Sequence, residues 1–394
     1  MAAQPSRAES LAGRALPILE RLVAFDTTSQ NSNLALIGWA EDYLRAQGLQ
    51  PRRIASADGG KANLLISIGP PVEGGIVLSG HTDVVPTAGQ AWTSEPFSLV
   101  RRGGRLVGRG AADMKGFLAL ALAATPDLLA APLKRPAHLA FSYDEEVGCL
   151  GAPALIAAIA ADLPKPALCI VGEPTNLEVV AAHKGVSVWR VTVTGREAHS
   201  AQTHLGASAV MEATRLMAKL VAIARRLERE ADPASPFEPK GASLTIGQVA
   251  GGEAANILAR ECAFLFDLRA GAGLDPAAAL APFFALARRV DKEIKARAPE
   301  GGVKVEPLAD VPPLAPDPGG EAEAFVRTLA GDNGPRRAAS FASEAGQFQR
   351  AGVPTVLCGP GSIDQAHRPD EYLELAQLER GAAFMTRLVE ALTR

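Results

Sequence analysis

The sequence predicts an α/β protein: a larger domain on a mixed, mostly parallel sheet, interrupted by an inserted α+β domain of ferredoxin-like order. Three observations predict it. Strand-length apolar runs alternate with longer helical stretches through the first half of the 394 residues, the pattern of a sheet covered by helices. Four such runs, drawn from both ends of the chain, are followed by acids or histidines. Between them the order changes to β-α-β-β-α-β, which can stand as a separate domain.

At the amino end, Leu11, Leu16, Ile18, Leu19, Leu22 and Val23 recur near the helical period, while Glu9, Arg14, Glu20 and Arg21 interrupt any signal-peptide core. Runs 63–68, 76–79, 139–143 and 167–171 read as buried strands. The longest apolar run, 116–133, contains Pro126 and Asp127 and reads as a buried helix and a turn rather than a membrane span. Residues 187–194 (SVWRVTVT) alternate like a half-solvated strand, followed by a helix over 207–230. Strands at 243–249 and 262–268, a helix at 276–297 and a strand at 303–307 complete the inserted series, with proline-rich 232–239 as a surface loop. The run 354–358 then returns to the first pattern. The expected division is therefore 1–183 and 313–394 for the larger domain and 184–312 for the insertion.

With 47% apolar and 21% charged residues the chain buries a large core. Its 40 Lys and Arg against 43 Asp and Glu leave a net charge of −3 and no dense basic block, which argues against nucleic acid or an anionic membrane as a partner. Cys149, Cys169, Cys262 and Cys358 lie far apart with no CxxC pair, as expected of reduced buried thiols in the cytoplasm.

The strand ends carry the chemistry. In open α/β sheets ligands collect beyond the carboxyl ends of strands. Run 76–79 leads to His81 and Asp83, 139–143 to Glu145 and Glu146, 167–171 to Glu173, and 354–358 to His367. Asp83, two residues from His81 on a strand, is placed to accept its second ring proton. Asp113 sits in a glycine-dense turn opening a helix, where it serves as an N-cap or as a carboxylate bridging two cations. The adjacent acids Glu145 and Glu146 project differently, which suits one metal ligand and one free general base, or a solvated turn. Glu173 and His367 alone also fit a turn and a surface loop. Together they make a nitrogen and oxygen set suited to two cations about 3.5–4 Å apart. Arg269 and the turn 359–362 offer a grip on a substrate carboxylate, Arg269 equally an ion pair with Asp267 or Glu261.

The strings SGHTDVVP (79–86), GRGAADMKG (108–116), FSYDEEVGCLG (141–151), VGEPT (171–175) and AHRPDEY (366–372) resemble the M20 family of metallopeptidases and deacylases. The resemblance runs from LVAFDTTSQNSN (22–33) to near the carboxyl terminus. AHKG (182–185), GREAHSA (195–201), GGEAANI (251–257), SEAGQF (343–348) and CGPGSIDQAH (358–367) are most similar to the acetylornithine deacetylase branch. The related succinyl-diaminopimelate desuccinylases usually carry GRRGS where this chain has AHKGVS.

The resemblance implies a zinc-peptidase-like catalytic domain and a lid that pairs two chains as a homodimer. It assigns His81 and Glu173 to one metal, Glu146 and His367 to the other, and Asp113 to both; Zn2+ is the expected ion, with Co2+ as an alternative. Glu145 becomes the general base, Asp83 the orienter of His81, and His199 the lid histidine that stabilises the oxyanion across the dimer. Arg269, Asn256, Gly361 and Ser362 are the candidate substrate contacts. The implied reaction is hydrolysis of an N-acyl amino acid, foremost N2-acetyl-L-ornithine to L-ornithine and acetate in arginine biosynthesis. A desuccinylase, carboxypeptidase or dipeptidase of the same family is the alternative, and a noncatalytic binding protein on the same fold the remote one.

Overall fold

The computed structural model describes residues 6–394; residues 1–5 of the expected catalytic domain lie outside it. The chain folds into two compact units, Met1–Ala182 with Pro316–Arg337 and Ser343–Arg394, and His183–Ala315 with Ala338–Ala342.

The first unit opens with α1 (Arg7–Val23), started by a reciprocal pair in which Ser6 caps the Glu9 amide and Glu9 returns to the Ser6 amide. Its buried stripe is Leu11, Ala15, Ile18, Leu19, Leu22 and Val23. There follow α2 (Leu34–Arg45), β1 (Arg52–Ala55), β2 (Ala62–Ile68), β3 (Ile76–His81), β4 (Val100–Arg102), β5 (Arg105–Val107), α3 (Gly116–Ala123), α4 (Thr125–Ala130), β6 (Ala137–Ser142), α5 (Ala152–Asp162), β7 (Leu168–Pro174) and β8 (Val180–His183). The run 116–133 thus divides into α3 and α4. Every residue of α3 is buried, because the helix packs against α1, α10 (Leu375–Leu392) and the sheet. No helix among the described residues is long and apolar enough to cross a membrane.

The second unit holds β9 (Gly185–Thr194), α6 (Ala209–Arg229), β10 (Ser243–Gly251), β11 (Glu261–Ala270), α7 (Pro276–Arg297) and β12 (Gly302–Val311). Its sheet runs β10-β11-β9-β12, antiparallel throughout, the strand order of a ferredoxin-like unit. Leu216, Leu220, Phe264, Phe266 and Phe283 form its own core. The strand expected over 303–307 extends to Val311, because a register shift between Pro307 and Ala309 absorbs the proline that breaks the ladder. Ala338–Ala342 groups with this unit: the Lys184 amide donates to Ala339 O at 3.1 Å, and Ser340 Oγ to Glu238 O at 2.6 Å.

After the insertion come α8 (Glu321–Ala330), β13 (Arg337–Ala339), α9 (Ala345–Arg350), β14 (Thr355–Gly359), β15 (Tyr372–Glu374) and α10. The main sheet has the order β1-β2-β6-β3-β7-β14-β8-β13. Its centre, β6-β3-β7-β14, is parallel, whereas the β1-β2, β2-β6 and β14-β8 pairs are antiparallel. Parallel central strands open their carboxyl ends on a single rim, where Asp83, Glu145, Glu173 and His367 follow or end them.

Candidate active site

The rim is built around Asp113. It lies in the turn Ala111–Lys115 between β5 and α3, where the backbone leaves helical geometry. Gly110 precedes it with φ +79, and a Cβ there would come within 2.6 Å of Val84 Cγ1, so both the turn and its close approach need glycine. The two oxygens of Asp113 face two imidazoles. Oδ1 is 2.9 Å from His81 Nε2, and Oδ2 is 3.3 Å from His367 Nε2. His367 Nε2 also lies 3.1 Å from Glu146 Oε2. The donor atoms of His81, Asp113 and Glu146 all fall within 4.8 Å of one another.

The structure changes the part expected of the Asp83 carboxylate. His81 Nδ1 pairs with the backbone carbonyl of Asp83 at 2.9 Å, and the nearest carboxylate oxygen is 3.7 Å away. That carboxylate is committed elsewhere: Oδ1 accepts the Glu145 amide at 3.1 Å, and Oδ2 accepts the Glu146 amide at 3.2 Å and Ser29 Oγ at 2.8 Å. Asp83 therefore fixes the tautomer of His81 through its main chain and the Glu145–Glu146 turn through its side chain.

Burial and mutual repulsion dominate the electrostatics. Burial pushes the carboxyls of Glu145 and Glu173 well above the usual range, assisted by neighbouring carboxylates, and raises Glu146. Asp113 is held low against its own burial by hydrogen bonds from His367 and His81. Hydrogen bonds to Asp113 and Glu146 raise His367 to about 10. His81 is raised well above its ordinary value because Asp113 and the nearby acids outweigh its burial. Glu173 Oε1 is buried with no hydrogen-bond partner. An unpartnered carboxylate oxygen among crowded acids, balanced by two imidazoles, is a donor set that fits divalent cations.

Glu145 takes a hydrogen bond from Cys149 Sγ at 3.4 Å; burial pushes that thiol well above its usual range, so Cys149 is no thiolate nucleophile. Gly361, at φ +86, accepts the Asn176 amide at 2.6 Å, and Ser362 pairs with Thr175 just beyond β7. His199, Asn256 and Arg269 stand in the second unit. There His199 pairs with Ile257, and the Ser200 amide donates to Asn256 O at 2.9 Å, so His199 and Asn256 occupy adjoining exposed segments. Arg269 pairs with Asp267 at 3.0 Å.

Two buried acids at the site escaped the sequence reading. Glu344 accepts Ser79 Oγ and Ser142 Oγ, each at 2.6 Å, across β3 and β6. Glu371 accepts the amides of Gly110, Ala112 and Asp113 and Arg109 Nη1, at 2.7–3.1 Å. Both lie within motifs quoted above, but neither follows an apolar run in the way that marked the others.

Comparison with known proteins adds sequence and fold relatives. A family model described as peptidase family M20/M25/M40 matches residues 77–391. An acetylornithine deacetylase of Myxococcus xanthus is 36% identical over 382 residues, covering 94% of this chain and 95% of the relative. One from Proteus mirabilis (strain HI4320) is 34% identical, with 93% and 92% covered. Among solved structures, a tripeptidase from Staphylococcus aureus superposes with a TM-score of 0.75 at 18% identity, covering 97% of this chain and 99% of the other. A Bacillus subtilis protein described as a dinuclear metal binding peptidase of the M20 family gives 0.64 at 14% identity, covering 96% and 99%.

Proposed function

Because the chain belongs to peptidase family M20/M25/M40 and is a metal-dependent hydrolase of that family, we propose that it removes the acetyl group from an N-acetyl amino acid, foremost N2-acetyl-L-ornithine. The observation that carries the reading is Asp113, whose two carboxylate oxygens each face an imidazole, with Glu146 beside them; Glu173, one oxygen of which is buried without a hydrogen-bond partner, feels the charge of Asp113. His81 and Glu173 would hold one divalent cation, Glu146 and His367 the second, and Asp113 both; zinc is the foremost candidate, with cobalt as the alternative. When bound, such a pair supplies Lewis acidity toward water and the acyl carbonyl.

Glu145 is the group left for proton transfer. Its carboxylate is buried, its amide is fixed by Asp83, and it has no place in the ligand set, so it takes a proton from water and returns it to the departing amine. His199 of a neighbouring subunit would donate a hydrogen bond to the developing oxyanion, and this is the reason to propose a homodimer. Arg269, Asn256, Gly361 and Ser362 remain candidates for holding the amino-acid end, Arg269 by exchanging Asp267 for a substrate carboxylate. The acetyl reading over a succinyl one rests on the likeness to acetylornithine deacetylases and on AHKGVS at 182–187. The free, buried cysteines accord with a cytoplasmic setting.

The test is amine release from a panel of N-acetyl and N-succinyl amino acids and short peptides, with added zinc or cobalt. N2-acetylornithine is expected to give the highest kcat/KM, and preference for a succinyl substrate or a peptide would reassign the enzyme within its family. Glu145→Gln is expected to lower kcat by at least about a thousandfold while keeping metal content. Turnover near wild type would remove Glu145 from the mechanism.

A further inference from the structure

We infer that Glu371 is a positioning residue that locks Asp113 and His367 into one fixed pair, so that both cation positions are set together; this rests on the two-metal reading above. Glu371 is 1% exposed. Neither oxygen is available to a metal. Oε1 accepts the amides of Ala112 at 2.9 Å and Asp113 at 3.0 Å, and Oε2 accepts Arg109 Nη1 at 2.7 Å and the Gly110 amide at 3.1 Å. The carboxylate thus fills the concave row of amides formed by the turn that presents Asp113, as an anion fills a backbone nest.

The placement of Glu371 is itself built in. Pairing of Tyr372 with Val107 between β15 and β5, and the Gly108 amide on Glu371 O at 2.9 Å, hold it over that turn. The same loop carries His367 four residues earlier, at φ +62, in the left-handed region that is uncommon for a non-glycine residue. Gln90 ties down its main chain, donating from Nε2 to His367 O at 2.8 Å. Gln90 Oε1 in turn accepts Trp92 Nε1 at 3.1 Å and Arg109 Nη2. Arg109 lies over the Trp92 ring at 5.0 Å and closes the circuit on Glu371. From the Asp113 amide through Glu371, Arg109 and Gln90 to the His367 carbonyl, each link is a hydrogen bond or charge-assisted pair. A glutamine at 371 keeps the volume but turns an NH2 toward N–H donors, which opens the circuit.

The experiment titrates metal-free protein with Zn2+ calorimetrically, records the visible spectrum of the Co2+-loaded form, and melts the metal-free form. Wild type is expected to take up two equivalents. Glu371→Gln is expected to bind the second equivalent about tenfold or more weakly, with an altered cobalt spectrum and a fall in kcat at nearly unchanged KM. Asp370→Asn, which disturbs the neighbouring contacts to Thr93 and the charge facing Arg102 but no link of the circuit, is expected to match wild type. Should Glu371→Gln fail to fold, Arg109→Lys, which cannot span Glu371 and Gln90 together, is expected to show the same weakening in lesser degree. Wild-type affinity and cobalt spectrum in the folded variant, with only a lower melting temperature, would overturn the inference and leave Glu371 a folding residue. Fewer than two equivalents bound by wild type would instead overturn the two-metal reading itself.

Discussion

Histidine at three positions shows how burial decides the role of one residue type. Neighbouring acids raise His81 and His367 above the ordinary imidazole value, whereas His138, fully buried on β6, has no hydrogen-bond partner on either ring nitrogen. A Cβ on Gly75 would stand 2.3 Å from His138 Nε2, so the ring fills its space closely. Burial lowers His138 to about 4. The folded state therefore excludes a proton that the unfolded chain accepts near pH 6.5. Stability is full above that pH and is lost as pH falls toward 4. His138 is expected to remove about 2 kcal/mol between pH 7.5 and pH 5. Urea unfolding at the two pH values should show His138→Leu with a pH dependence smaller by about that amount; an equal dependence would place the acid sensitivity elsewhere.

At the scale of elements, the site depends on how closely α3 meets the ends of β3 and β7. Gly172 packs under the Phe117 ring, and an added Cβ would lie 2.0 Å from Phe117 Cγ. Neither the fully buried helix nor the strand has space to yield. Gly172→Ala is expected to cost about 1–3 kcal/mol in urea unfolding and, because Glu173 is the next residue, to weaken metal binding. A variant unchanged in both measurements would show that the strand end adjusts freely. The α3 run was legible in sequence as apolar and buried. Its contact with Gly172 was not, because 55 residues of chain separate the partners and no period relates them.

For the molecule as a whole, the proposed assembly makes a test that no single chain passes. A Glu145→Gln protein and a His199→Ala protein, each inactive, are expected to regain part of the wild-type activity when their chains exchange, because some sites then hold both Glu145 and a partner histidine. Activity assays on the mixture, with exchange confirmed by native mass spectrometry, give the result. No recovery despite exchange would make each site self-contained.

The sequence by itself determined the α/β class, because apolar runs of strand and helix length are local, and it marked the acids and imidazoles that follow four of those runs. Family membership was equally legible, since its motifs are contiguous strings. Only the tertiary structure decided which oxygen of Asp113 faces which imidazole and that Asp83 turns its carboxylate to the amides of Glu145 and Glu146. It alone brought Glu371 under the turn that carries Asp113, across 258 positions of chain. These are hydrogen bonds between groups remote in sequence, and their partners are fixed by strand register and turn geometry, which composition and spacing do not encode.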